Sequence, residues 1–337
     1  MDTKYGDISP RTAAKAVKRL LKVGQALLTT ERFGQVDPQP RKSSLTRKYR
    51  RYEPLPWATA PLAEGVAPAG QQLSATDIEC SLEQYGDVVW LTDVIADTHE
   101  DPVFKVAYTR VGEQSAETVE LIRINFLKAG TNVYYANNAT GRATVNSPAT
   151  RGDLRRIYRD FKRNRAAEIS QIIGATARIS TEPVAAAYFA MGSTDILADL
   201  KGLTGWVPVE QYSQHTKALP GEVGKVEEIR FILSPLWVPW LTSGASGTTY
   251  LSGGVAVTGA AQADVYPIVI VARDSYAIVP LQGKEAIHIA VQQPDKVDKS
   301  DPLGQRGFVS WKTYQTGTIL QHLWVARLEV AATANPS

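Results

Sequence analysis

The side chains best suited to chemistry in this chain are four histidines, one cysteine and a run of eight acids. His99, His215, His288 and His322 share no motif, and none sits at metal-ligand spacing. Cys80 lies on the apolar side of an alternating stretch, where a thiol is a packing residue and not an exposed nucleophile. A lone cysteine allows no intramolecular disulfide, which fits a reducing compartment. Paired carboxylates can do general acid–base work. Here the acids alternate with apolar residues over 76–84 and face a nearby basic segment, so they read as surface. Gly224-Lys225 and Gly283-Lys284 lack the upstream glycine of a phosphate-binding loop, and SGASG has the wrong spacing for a nucleophile elbow. The residues therefore offer no catalytic constellation, no cofactor fingerprint and no metal set. The expectation is a non-enzymatic chain.

The charge distribution says more. The chain of 337 residues has a net charge of +3, which hides a strong asymmetry. Residues 1–51 hold 13 Lys and Arg against 4 Asp and Glu. Residues 77–101 hold Asp77, Glu79, Glu83, Asp87, Asp93, Asp97, Glu100 and Asp101, with no Lys or Arg. A basic arm followed by a matched acidic segment suggests that the two attract, within a chain or between chains. No apolar run approaches the roughly 20 residues of a membrane span, and the N-terminus lacks a signal-type apolar stretch. A soluble protein made in the cytoplasm is expected.

The elements that must position these charges are legible from periodicity. Ser9-Pro10 suits a helix start. Ala13, Ala14, Val17, Leu20, Leu21, Leu27 and Leu28 then form an apolar stripe, with Lys15, Lys18, Arg19 and Lys22 off it. That basic face is either solvated or turned toward nucleic acid. Residues 42–52 suit a strand. Residues 53–72 carry four Pro and two Gly and cannot be regular. Over 76–84, Thr76, Ile78, Cys80 and Leu82 take one face and Asp77, Glu79, Ser81 and Glu83 the other. Together these predict a two-stranded arm, basic going out and acidic coming back, with a Pro-rich tip. An isolated ribbon of this kind is marginal in water, so it should lie against something, and another subunit is a natural candidate.

A long helix is expected from Asp101-Pro102 to Ala129-Gly130, with Gly130 as a left-handed terminator. Its length is roughly 42 Å at 1.5 Å per residue. Residues 153–165 predict a second amphipathic helix. Leu154, Ile157, Tyr158 and Phe161 face in, and Arg155, Arg156, Arg159, Lys162, Arg163 and Arg165 face elsewhere. That face is solvated, inter-subunit or in contact with nucleic acid. Buried strands are expected after Pro183, in VGKVEEIRFILSP and on both sides of a turn at Arg273-Asp274. Residues 236–264 read as a long surface loop or insertion. The C-terminal end from Phe308 to Val330 reads as strand-rich.

This order resembles the Hong Kong 97-type major capsid protein of tailed bacteriophages. The resemblance is also direct in sequence, and the chain looks like a member of the podovirus-type capsid family named for coliphage N-four. YGDISPRTAA, RRYEPLPWATAPLAEGVAPAG, LEQYGDVVWLTDVIADTHEDP, LKAGTNVYYANN, PGEVGKVEEIRFI, SDPLGQRGFVSWKTY and WVARLEVAATA carry it. The resemblance implies an α+β capsid fold. It divides the chain into an N-terminal arm (1–40), an extended loop (41–90), a peripheral domain (91–147 and 283–337, with a spine helix at about 101–129) and an axial domain (148–282).

The same resemblance implies a shell subunit that forms pentamers and hexamers of itself around double-stranded DNA bound without sequence specificity. Portal, decoration and separate scaffold proteins are its implied partners, with no membrane and no cofactor. The arm helix begins near Ser9, so a scaffold is expected to be a separate protein or absent, and assembly is expected to be noncovalent. The implied location is the virion capsid, assembled in the host cytoplasm. Arg47, Lys48, Arg50, Arg51, Trp57, Glu79 and Glu83 are expected in an intersubunit loop, the cations against acids of a neighbour. Lys15, Lys18, Arg19 and Lys22 are expected to face DNA. Other readings are an encapsulin-like nanocompartment shell and a non-catalytic nucleic-acid-binding protein.

Overall fold

The computed structural model describes residues 29–59, 61, 64, 65, 67, 70–94, 103–173, 181–212, 218–247, 249–256, 261–283, 287–294, 296, 297 and 301–334. The basic helix expected from Ser9, with Lys15, Lys18, Arg19 and Lys22, lies outside the described residues, as do His99 and His215.

Two sheets and one long helix organise the chain. The helix α1 spans Val103–Lys128. Its buried side carries Val111, Ala116, Val119, Ile124 and Leu127. The first sheet is centred on the long strand Arg306–Ile319, which pairs antiparallel with Glu83–Thr92, His288–Gln292 and Tyr276–Pro280. The inward side of that strand, with Val309, Trp311, Thr313 and Gln315 buried, lies under α1. Gly317 permits the close approach: a Cβ there would sit 2.1 Å from Phe126.

The second sheet runs in the order Val133–Tyr135, Val325–Ala331, Val265–Val271, Thr181–Gly192, Ile229–Leu233, Glu222–Val226 and Trp206–Pro208. Every residue of Val265–Val271 and of Ile229–Leu233 is buried, as expected of strands covered on both faces. One face packs on Phe33, Ile124 and Leu127. The other packs on α2, Arg151–Arg163, through Leu154, Ile157 and Phe161. The sheets cross the expected domain boundaries. Tyr276–Pro280 joins the strand 306–319, and Val325–Ala331 sits beside Val265–Val271.

Three local expectations need correction. Helix α2 starts two residues early, because Thr150 and Asp153 form a reciprocal capping box there. Gly130 is not left-handed. Its value is space, since a Cβ would lie 3.3 Å from the Ile319 side chain. The segment 236–264 is not simply surface: Trp237 and Asp264 are buried. The Asp264 carboxylate accepts from the backbone N–H groups of Thr242 (2.7 Å), Gly253 (2.9 Å) and Gly254 (2.6 Å), which folds the Gly-rich loop onto the sheet. The turn at Arg273-Asp274 is present, with Asp274 left-handed at φ 54°, but the strands on either side enter different sheets.

Candidate assembly surface

The basic and acidic segments do form a two-stranded ribbon. Thr46–Tyr52 pairs antiparallel with Ala75–Ser81. The register sets Lys48 opposite Glu79 and Arg50 opposite Asp77, because side chains two apart share a face. On the solvent face Lys48 Nζ lies 2.6 Å from Glu79, and Arg50 grips Asp77 through Nε at 2.7 Å and Nη2 at 2.9 Å. Hydrogen bonding from Arg50 holds the Asp77 carboxyl below its ordinary pKa, and Arg51 does the same for Glu53.

The opposite face of the ribbon rests on its own chain. Tyr49, Cys80 and Leu82 pack with Val279, Leu281 and Tyr314. Burial pushes the Cys80 thiol pKa up, which leaves a protonated packing residue. Three arginines tether this face. Arg41 donates to the carbonyls of Gln282 and Gly283. Arg47 pairs with Asp37. Arg51 donates to the Leu320 carbonyl at 3.1 Å and pairs with Glu53 at 2.8 Å.

Within one chain each of Arg47, Lys48, Arg50 and Arg51 already has an acid beside it: Asp37, Glu79, Asp77 and Glu53. Register accounts for two of these pairs, Lys48 with Glu79 and Arg50 with Asp77, which face each other on adjacent strands; Arg47 and Arg51 reach Asp37 and Glu53 outside the facing strand. Glu79 is spent on Lys48, and Glu83 accepts from the Tyr85 hydroxyl. Such exposed pairs contribute little individually, because water screens them. Beside these charges the ribbon and its tip leave large apolar side chains uncovered. Trp57 is 79% exposed, and Leu45, Tyr52, Leu55 and Leu73 are exposed with it.

A second feature was missed from sequence. The Glu120 side chain, fully buried on α1, accepts four hydrogen bonds from the start of the described chain. They come from the Thr29 N–H (3.2 Å) and hydroxyl (2.6 Å) and from the Thr30 N–H (3.2 Å) and hydroxyl (2.8 Å). The Tyr276 hydroxyl closes the clasp by donating to the Thr30 carbonyl. The sequence carried no signal for Glu120. Its partners lie some 90 residues away.

Among the described residues no group of three His, Cys, Asp or Glu could hold a metal ion. His288 is exposed on the first sheet, and His322 Nδ1 accepts from the Thr131 N–H at 3.5 Å. No helix of the described residues is long and apolar enough to cross a membrane.

No family model matches the chain. The major capsid protein of Pseudomonas phage KPP21 is 23% identical over 270 residues, which cover 76% of this chain and 68% of that protein. The capsid of Ralstonia phage GP4 superposes with a TM-score of 0.64 at 11% identity, over 90% of this chain and 88% of that one. The capsid of cyanophage Pam1 superposes with a TM-score of 0.61 at 13% identity, over 88% and 89%. The likeness covers about nine-tenths of the chain, so this chain carries the Hong Kong 97-type α+β fold of tailed-phage major capsid proteins.

Proposed function

We propose that this chain is the structural major capsid protein of a tailed phage, and that copies of it assemble into a closed shell through the ribbon. The observation that carries the reading is the superposition on a phage capsid over nine-tenths of the chain. The exposed apolar residues at the ribbon support a subunit contact there: among the described residues Trp57, Leu55, Tyr52, Leu45 and Leu73 are exposed, and aromatic anchors of this kind dominate interfaces. The charged pairs of the ribbon then fix its shape, and the apolar residues make the contact.

In this reading residues 41–90 are the extended loop, 1–40 the arm, and α1 the spine of a peripheral domain built mainly from 91–147 and 283–337, its sheet joined by Tyr276–Pro280 while Val325–Ala331 enters the axial sheet. Residues 148–282 form the axial domain that meets its copies at five-fold and six-fold centres. The shell encloses double-stranded DNA and is assembled in the host cytoplasm with a portal and any separate scaffold or decoration protein. Lys15, Lys18, Arg19 and Lys22 are assigned to the inner face.

The test is sedimentation velocity with electron microscopy of the chain expressed alone, repeated with the remaining phage head components. Capsomers, tubes or closed shells are expected. A particle-free monomer in both preparations would refute the reading.

A further inference from the structure

The outer face of α2 carries more positive charge than its surroundings neutralise. The helix holds six Lys and Arg against two Asp. Of its three accessible carboxylate partners, Glu168 pairs with Lys162 and the other two are each shared between two arginines. Glu227 takes Arg151 at 2.9 Å and Arg155 at 2.7 Å. Asp160 takes Arg163 at 3.7 Å and Arg159 at 3.9 Å, while its other oxygen accepts from the Tyr134 hydroxyl at 3.0 Å. Arg159 and Arg163 remain 67% and 71% exposed.

Arg155, Arg159 and Arg163 recur every four residues, so they form one row along the helix. The row is roughly 12 Å long at 1.5 Å per residue. Beside it lies a cavity of about 490 Å³ lined by Asn137, Asn138, Thr150, Arg155, Arg156 and Arg159 among others. Its far wall holds two consecutive left-handed residues, Asn137 (φ 51°) and Asn138 (φ 57°), a conformation that costs energy away from glycine. Contacts from the helix hold them: the Asn137 N–H donates to Asp153 at 3.2 Å, and Arg156 donates to the Asn138 side-chain oxygen at 2.5 Å.

We infer that this row and its cavity form a docking surface for the sugar-phosphate backbone of duplex DNA. Each strand carries one phosphate per about 3.4 Å of duplex axis, so a row laid along that axis spans three or four of them. Guanidinium groups suit phosphate, and nothing on the row reads a base edge. A carboxylate partner on a second copy fits less well. The acids of the ribbon are committed within the chain, Asp77 to Arg50, Glu79 to Lys48 and Asp87 to Gln114. The chemistry of the surface stands by itself; that the DNA is packaged genome rests on the capsid reading.

The test uses the full chain and a fluorescein-labelled 20-base-pair duplex, followed by anisotropy between 50 and 200 mM salt. The wild-type affinity should fall steeply with salt. The R155Q/R159Q/R163Q triple variant should bind at least about tenfold more weakly, and its slope of log affinity against log salt should shrink by roughly 2.7, near 0.9 per lost phosphate contact. Arg159→Gln alone, which gives up only a 3.9 Å contact, should reduce the slope by about 0.9. Arg110→Gln, on α1, should change neither. Wild-type chain without measurable binding, or a triple variant within twofold of wild type, would overturn the inference. So would a triple variant that binds DNA normally but no longer forms particles, since the row would then be an interface between copies. Normal DNA behaviour in a wild-type chain that never assembles would leave the surface standing and remove the capsid reading.

Discussion

Glu120 is the strongest single test of how the arm is held. Replacing it with Ala removes the acceptor for four donors at Thr29 and Thr30, both buried. A buried donor left without a partner costs about 1–3 kcal/mol. The two hydroxyls can turn to other acceptors, but the two amides cannot, which puts the loss at roughly 2–6 kcal/mol. The carboxylate's own desolvation cost is recovered in the variant, so the lower half of that range is expected, about 2–4 kcal/mol. Glu120→Gln keeps one oxygen in place for the Thr29 and Thr30 amides and should cost about 1–2 kcal/mol. The loss should be local first, because the clasp ties a chain segment onto an otherwise complete core. Hydrogen exchange should show residues 29–33 losing protection in the Ala variant while Val265–Val271 keeps it. Urea unfolding gives the global change. Unchanged protection at 29–33, or an Ala variant less than about 0.5 kcal/mol from wild type, would refute the reasoning.

The pairing of the ribbon gives it an acid limit. Asp77 and Glu53 have folded pKa values below their ordinary ones, so their contribution is present above the usual carboxylate range near pH 4 and is lost as pH falls through the lower folded values. Exchange protection over 46–52 and 75–81, corrected for intrinsic rate, should therefore be similar at pH 7 and pH 5 and fall at pH 2.5; equal protection at all three would count against the ladder. Gly317→Ala should cost about 1–3 kcal/mol in urea unfolding, since the added Cβ overlaps the Phe126 ring between α1 and the first sheet. A wild-type midpoint would mean that the helix shifts freely. Trp57→Ala should leave the urea midpoint within about 0.5 kcal/mol of wild type, because the ring touches so little of its own chain, yet lower the yield of sedimenting particles. Unchanged yield would remove Trp57 from the assembly contact.

Much of this was legible in the sequence because it is periodic. Alternation over 76–84 located the returning strand of the ribbon, and Asp101-Pro102 with Ala129-Gly130 bounded α1. The runs PIVIV and IRFIL announced strands covered on both faces. What periodicity does not encode is pairing at a distance. The charges of Arg47, Lys48, Arg50 and Arg51 were visible, but the pairing of Lys48 with Glu79 and Arg50 with Asp77 is set by register, a property of two strands, and Asp37 meets Arg47 only in the fold. Glu120 was hidden for the same reason. Asp264, in a Gly-rich stretch that reads as surface, is buried because three backbone N–H groups converge on it, and only the folded loop brings them together. The left-handed pair Asn137-Asn138 reads in sequence as an ordinary turn; its place beside the α2 arginines appears only in three dimensions.

The central claim is that copies of this chain close into a shell with the ribbon tip of one against the body of the next. An electron cryomicroscopy reconstruction of the assembled particle, resolved to side chains, tests it most directly. The account predicts five-fold and six-fold clusters of one chain, with Trp57, Leu55 and Tyr52 buried against a neighbour while Arg50 and Lys48 keep Asp77 and Glu79 of their own ribbon. A particle in which the tip stays in solvent, or in which those cations leave their own acids for a neighbour's, would contradict it.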